Sequence, residues 1–147
     1  MVRRFSDVSE IVAVDWNELV GSCRDRKSLL EQVTREVEEA ISATNSQAMS
    51  AVAVENSVAC ELERNRYQAQ LWQSRVMRAV EAGDDELARK ALARKHEHQK
   101  LIAVLEERLE AARGASIARR RQLEVLKLRL AEARRFLASL PTGEAAA

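Results

Sequence analysis

Long apolar runs are missing from this sequence. No stretch of about 18 apolar residues occurs, so no transmembrane helix is expected. Aromatic residues make up only 3% of the chain, with four Gly and one Pro, whereas a packed globular core and its turns use more of each. Cysteine is nearly absent: Cys23 and Cys60 are the only two. If both lie near one continuous helix, a rise of ~1.5 Å per residue separates them by roughly 55 Å. A disulfide needs Cα atoms no more than about 7 Å apart, so no internal bridge is expected, and reduced thiols fit the cytosol. The start, MVRRFSDVSEIV, has a basic pair, but Asp7 and Glu10 interrupt any signal-peptide core. Cytoplasmic residence is therefore expected. An excess of one charge sign is missing too. The formal net charge is +1, which predicts neither strong attraction to nucleic acid nor strong repulsion from it.

What remains favours helix. The 147 residues suit one domain, and 32% are charged and 46% apolar, with abundant Ala, Leu, Glu, Arg and Gln. These residues lose little freedom in a helix. Gly83 followed by Asp84-Asp85-Glu86 reads as a helix end, an N-cap and an acidic first turn in immediate succession. So short a connection makes the neighbouring helices antiparallel. The expected architecture is all-α. An amphipathic leader helix occupies residues 1–22, with its helix from about Ser6 to Val20. A two-helix coiled-coil hairpin follows over residues 23–140, and a small-residue tail over 141–147. The first arm is expected from about Arg26, capped by Asp25, to Glu81, and the second from about Asp85 to Leu140, with the tip at 82–85.

Apolar steps of three and four support the seam. Leu29, Val33, Val37, Ala40, Thr44, Ala48, Ala51, Val58, Leu62, Ala69, Trp72, Val76 and Ala79 mark one arm. Leu87, Ala91, Leu101, Leu105, Leu109, Ala112, Leu123, Leu126, Leu130, Ala133, Leu137 and Leu140 mark the other, with two gaps. Folding at Gly83 pairs residue i with roughly 166 − i. Small residues then face small residues at mid-length, which gives Gly114 a packing reason. Charge agrees with this register. From Glu31 to Glu63 there are seven acids and one base, facing nine bases and five acids between Ala103 and Arg135. Glu31 falls opposite Arg135, and Glu36 to Glu39 opposite Lys127 and Arg129.

The candidate chemistry is sparse. The cluster of Arg119, Arg120, Arg121, Lys127, Arg129, Arg134 and Arg135 reads as a solvated face paired with the acidic arm. A nucleic-acid or anionic-lipid footprint is the alternative, but only Phe136 is there for bases to stack on, so no direct nucleic-acid partner is expected. His96 and His98 stand two apart and splay by about 200°, so they do not make a helical metal pair. Neither cysteine has a neighbouring His or second Cys, so no metal and no cofactor is expected. Phosphate loops, nucleophile elbows and paired carboxylates over a pocket are all absent, so no catalytic residue is named and no enzyme is expected. Trp72 reads as core filling, or with Tyr67 and Met77 as a partner-binding patch near the tip.

The leader carries more. Phe5, Val8, Val12, Trp16 and Leu19, continued by Cys23, step by three and four along one stripe, with Ile11 and Val20 beside it. Such a stripe buries itself against the hairpin, a second copy or a membrane interface. Phe5, Trp16 and the Arg3-Arg4 pair suit a membrane, whereas Asp7, Glu10, Asp15 and Glu18 make the segment net acidic and suit docking on protein.

Three stretches resemble the phage-shock protein A family, which includes the plastid vesicle-inducing protein and is related to the ESCRT-III proteins. FSDVSEIVAVDWNELV is similar to its leader helix, and RDRKSLLEQVTREVEEAI to the start of its first arm. WQSRVMRAVEAGDDELARKALARKHEHQKL is similar to its tip, where Glu86-Leu87-Ala88-Arg89-Lys90-Ala91-Leu92 follows the family pattern. Two departures stand out. Asp25-Arg26 replaces the usual Asp-Pro, which leaves the beginning of the first arm less rigidly set. Full-length relatives also continue into further helices past Pro141, so rods or rings built through those helices are not implied for residues 1–147. The resemblance implies a self-assembling coiled coil of the bacterial envelope-stress response. It would bind the inner face of the cell membrane through Phe5, Val8, Val12, Trp16 and Leu19. In some relatives the hairpin also restrains an AAA+ transcriptional activator. The alternative is an adaptor that binds only protein partners.

Overall fold

A computed structural model describes residues 3–141, so most of the expected tail lies outside the described residues. Four α-helices follow in order, with no strand among the described residues: α1 (Val8–Val12), α2 (Trp16–Gly21), α3 (Arg26–Glu81) and α4 (Asp85–Ser139). The long pair, α3 and α4, pack against each other as an antiparallel hairpin.

Local chemistry sets the ends of the long helices. Asp25 caps α3, its side chain accepting from the Ser28 N–H at 3.0 Å. At the tip Gly83 adopts φ 75°, the left-handed region that costs a Cβ-bearing residue energy. The Gly83 N–H donates to Val80 O and the Asp84 N–H to Ala79 O, which satisfies two orphan carbonyls of α3. The Asp84 side chain meanwhile accepts from the Leu87 N–H at 3.0 Å and so opens α4. One residue closes the first helix and starts the second.

The described chain forms two compact units, residues 3–49 with 117–141 and residues 50–116. In the first unit a buried cluster joins Leu29, Val33 and Val37 of α3, Leu126 and Ala133 of α4, and Phe5, Ile11 and Trp16 of the leader. In the second, Leu62, Leu105 and Leu109 form a smaller cluster, with Val58, Ala59 and Ile102 packed on it. The seam of this second unit is more regular than counting apolar residues indicates. Half-buried or buried positions on α4 run Ala88, Ala91, Lys95, His98, Ile102, Leu105, Leu109, Ala112 and Ser116, alternating threes and fours. Lys95, His98 and Ser116 fill what reads as gaps in the sequence, and Ile102 takes the place expected of Leu101, which is exposed. On α3 Glu55 and Asn65 fill the corresponding gaps. Four of these polar residues pair across the seam: His98 Nδ1 with Asn65 Oδ1 at 3.0 Å, Lys95 Nζ with Gln73 Oε1 at 2.6 Å, and Glu55 with Arg113 at 3.7 Å.

Cross-arm partners fall within about six residues of the expected register, because long side chains reach up to a turn along their helix. Arg134 meets Glu38 at 3.2 Å, and Arg66 meets Glu106 at 3.3 Å. The expected facing of Glu36 by Lys127 and Arg129 is not what forms. Lys127 pairs with Glu124 on its own helix, while Glu36 and Arg129 both turn to the leader. The reason expected for Gly114 also fails. Ala112 and Ser116 hold the seam there, while Gly114 is exposed and a Cβ built on it meets nothing within 4 Å. Gly114→Ala is therefore expected to stabilise the protein by about 0.5–1 kcal/mol, through helix propensity and a more restricted unfolded chain. A raised denaturant midpoint with an unchanged slope checks this, and a lowered midpoint refutes it.

Candidate functional site

The leader is two short helices where one was expected. Asp15 accepts from the Asn17 and Glu18 N–H groups, and Asp7 accepts from the Glu10 N–H. Two capped starts within one short run prevent a continuous helix, since aspartate favours caps over interiors. The signal was present twice, as Asp7-x-x-Glu10 and Asp15-x-x-Glu18.

This break rotates the apolar stripe. The most buried leader residues are Ile11, Trp16, Phe5 and Val20, while Val8, Val12, Leu19 and Cys23 are partly buried and packed around the same cluster. Trp16 lies 6.4 Å from Phe136, ring centre to ring centre, and only 6% of it is exposed. All five residues expected to contact a membrane are thus gathered in one place, against the hairpin. Each fully buried large apolar side chain contributes roughly 1.5–3 kcal/mol, so apolar packing dominates the docking.

Polar contacts then orient it. Glu36, nearly buried on α3, accepts from the Arg4 N–H at 2.9 and 3.0 Å and from the Phe5 N–H at 3.1 Å. The Arg129 guanidinium donates to Val12 O at 2.7 and 3.1 Å, taking up a carbonyl at the end of α1. Glu132 accepts from Trp16 Nε1–H at 2.5 Å and pairs with Arg129 at 2.9 Å. Burial acts to raise the Glu132 pKa, but the Trp16 and Arg129 hydrogen bonds, with the charges of Arg129 and Arg135, outweigh it and hold the carboxyl below its ordinary value. A lowered folded pKa means that this contribution to docking is complete above the unfolded value. It is lost as pH falls through the folded one. At the rim Arg3 pairs with Glu39 at 2.6 Å, both largely exposed, so this bridge adds little. From sequence Glu36 and Arg129 are expected to face each other across the hairpin and Glu132 is not singled out, so none of the three is expected to hold the leader. The available signal was an acid, Glu36, set between the seam residues Val33 and Val37.

The tip presents a different surface. Trp72, Ala79, Leu87 and Ala91 line an open groove of about 740 Å³ within the second unit, rimmed by Arg75, Arg78, Lys90 and Arg94. Arg75 stacks over the Trp72 ring at 4.3 Å. Of the three tip residues expected to bind partners, Trp72 lines this groove. Tyr67 and Met77 do not line it and lie 60% and 55% exposed. Val54, Val80, Leu87, Leu101 and Val104 are also exposed in this unit. His96 contacts Gln99 on its own helix while His98 turns into the seam, so the two histidines do not converge. Both cysteines are free thiols, and no helix among the described residues is long and apolar enough to cross a membrane.

Related proteins match this chain over most of its length. The chain is 28% identical over 130 residues to the membrane-associated protein Vipp1 of Synechocystis, covering 88% of this chain and 49% of that protein. It is 25% identical over 130 residues to Vipp1 of Nostoc punctiforme, covering 88% and 50%. The chain therefore spans about half the length of the curated relatives it matches. Residues 4–147 match the PspA/IM30 family, and the chain belongs to that family.

Proposed function

We propose that this chain is a peripheral membrane-binding coiled coil that self-assembles at the inner face of the cell membrane and acts in the envelope-stress response. Membership of the PspA/IM30 family supports this reading, as does its similarity to the two membrane-associated Vipp1 proteins. The observation that carries it is the leader. Phe5, Val8, Val12, Trp16 and Leu19 form a ready apolar surface that packs on the base of the hairpin through non-covalent contacts. The exposed apolar side chains of the second unit offer apolar surface for self-assembly. Restraint of an AAA+ transcriptional activator by the hairpin, with Tyr67, Trp72 and Met77 near the contact, belongs to the same proposal. So does the absence of enzymatic activity. A protein-only adaptor is the second reading, favoured by the burial of Trp16 against protein.

Trp16 decides between the two. Its indole is already shielded, so a blue shift is a poor readout, and quenching by bromine on lipid acyl chains is a direct one. In a Trp72→Phe background, brominated vesicles are expected to quench Trp16, and Val12→Asp to abolish the quenching while helix content is retained. Trp16 emission indifferent to brominated lipid of every headgroup would make the adaptor the better reading.

A further inference from the structure

The side chains offered to lipid are the same ones that the hairpin base covers. Phe5 and Trp16 belong to the buried cluster with Leu29, Val33, Val37, Leu126 and Ala133, and Val8, Val12 and Leu19 pack on it. The leader cannot place this surface in a bilayer and on the hairpin at once. Three charged side chains also grip the leader through its polar groups. Glu36 holds the N–H groups of Arg4 and Phe5, Arg129 holds the carbonyl of Val12, and Glu132 holds the Trp16 indole N–H. Their positions are telling. All three sit on the hairpin arms, and each is directed at the leader, whereas apolar packing alone would leave its seat less defined.

We propose that the hairpin base is a latch. Glu36, Arg129 and Glu132 fasten the leader in a closed, lipid-incompetent state, and its apolar face is released when a membrane competes for it. The proposal rests on the membrane reading above and adds its control. A lipid surface binds only the open form, so the apparent affinity for membrane is the intrinsic affinity reduced by the fraction open. Weakening a fastener raises the open fraction and raises membrane binding by the same factor. A residue needed for membrane contact itself does the reverse when altered.

The test uses Glu36→Gln and Arg129→Gln in the full chain carrying Trp72→Phe. Vesicles are equimolar phosphatidylethanolamine and phosphatidylglycerol, with brominated acyl chains for quenching. A charge-assisted hydrogen bond corresponds to roughly a tenfold or larger change in the opening equilibrium. Amide exchange at Ile11 to Val20 is expected to speed up by about that factor in both variants, with exchange near the tip unchanged and vesicle affinity raised in proportion. The two substitutions change net charge in opposite directions. Simple electrostatic attraction to the anionic surface would therefore move their affinities apart, and that divergence overturns the latch. So does faster leader exchange with unchanged affinity, and so does unchanged exchange in both variants. In each of these cases wild-type quenching by brominated lipid leaves the membrane reading standing. No quenching in wild type or either variant overturns that reading and the latch together.

Discussion

Shortening Leu126 to alanine is expected to lower stability by about 2–5 kcal/mol, the range for a leucine removed from a core that relaxes only partly. Leu126 is fully buried and belongs to the cluster built from α3, α4 and the leader. The cavity therefore opens where three segments meet, and the loss should not stay local to the hairpin. Trp16 emission in the Trp72→Phe background should shift red before the main unfolding transition, because the leader loses part of its seat first. Urea titration followed by circular dichroism and by Trp16 emission checks both parts. Coincident transitions and a loss under about 1 kcal/mol would mean that the base repacks around the smaller side chain.

Gly83→Val should be the next most damaging change, costing about 1–3 kcal/mol. At φ 75° a β-branched residue meets its own backbone. Gly83 and Asp84 donate to the last carbonyls of α3, and Asp84 also caps α4, so a displaced Gly83 weakens both helices at once. No neighbour crowds the position, which makes the effect purely conformational. Gly83→Asn, which tolerates the left-handed region, should recover part of the loss in thermal melts. Equal losses for valine and asparagine would point to a cause other than backbone angle.

The contrast between Gly83 and Gly114 shows what the sequence reveals and what it conceals. The turn was legible because its chemistry is contiguous: a glycine, an aspartate to follow it, and an acidic first turn. The same holds for the Asp25 cap. Gly114 was misread because its environment depends on which α4 face meets α3, and the apolar residues alone leave that face ambiguous. Lys95, His98 and Ser116 continue the alternation of threes and fours, and a count of apolar positions passes over them. In the leader the apolar stripe was visible, but Asp15 breaks the helix that would have kept it straight, so Ile11 and Val20 bury more deeply than Val8 or Leu19. The grip of Glu36 and Arg129 was hidden for a further reason. Their partners are backbone groups at distant positions, and a backbone group carries no letter in the sequence.

The polar crossings in the seam make the two arms behave like a key in a lock with unequal wards. Sliding α4 by one heptad of seven residues preserves the apolar stripe, so hydrophobicity alone is nearly blind to such a slip. Slid one way, Glu55 leaves Arg113 and comes abreast of Glu106, setting acid against acid. Slid the other way, Asn65 loses His98 for Leu105, and Gln73 loses Lys95 for Ile102, stranding two amides against hydrocarbon. Asn65 and Gln73 lose their partners in either direction, and the like-charge clash of Glu55 is added in one of them. Arms from two chains that exchanged partners would meet the same wards, so even a swapped pair should align as the single hairpin does.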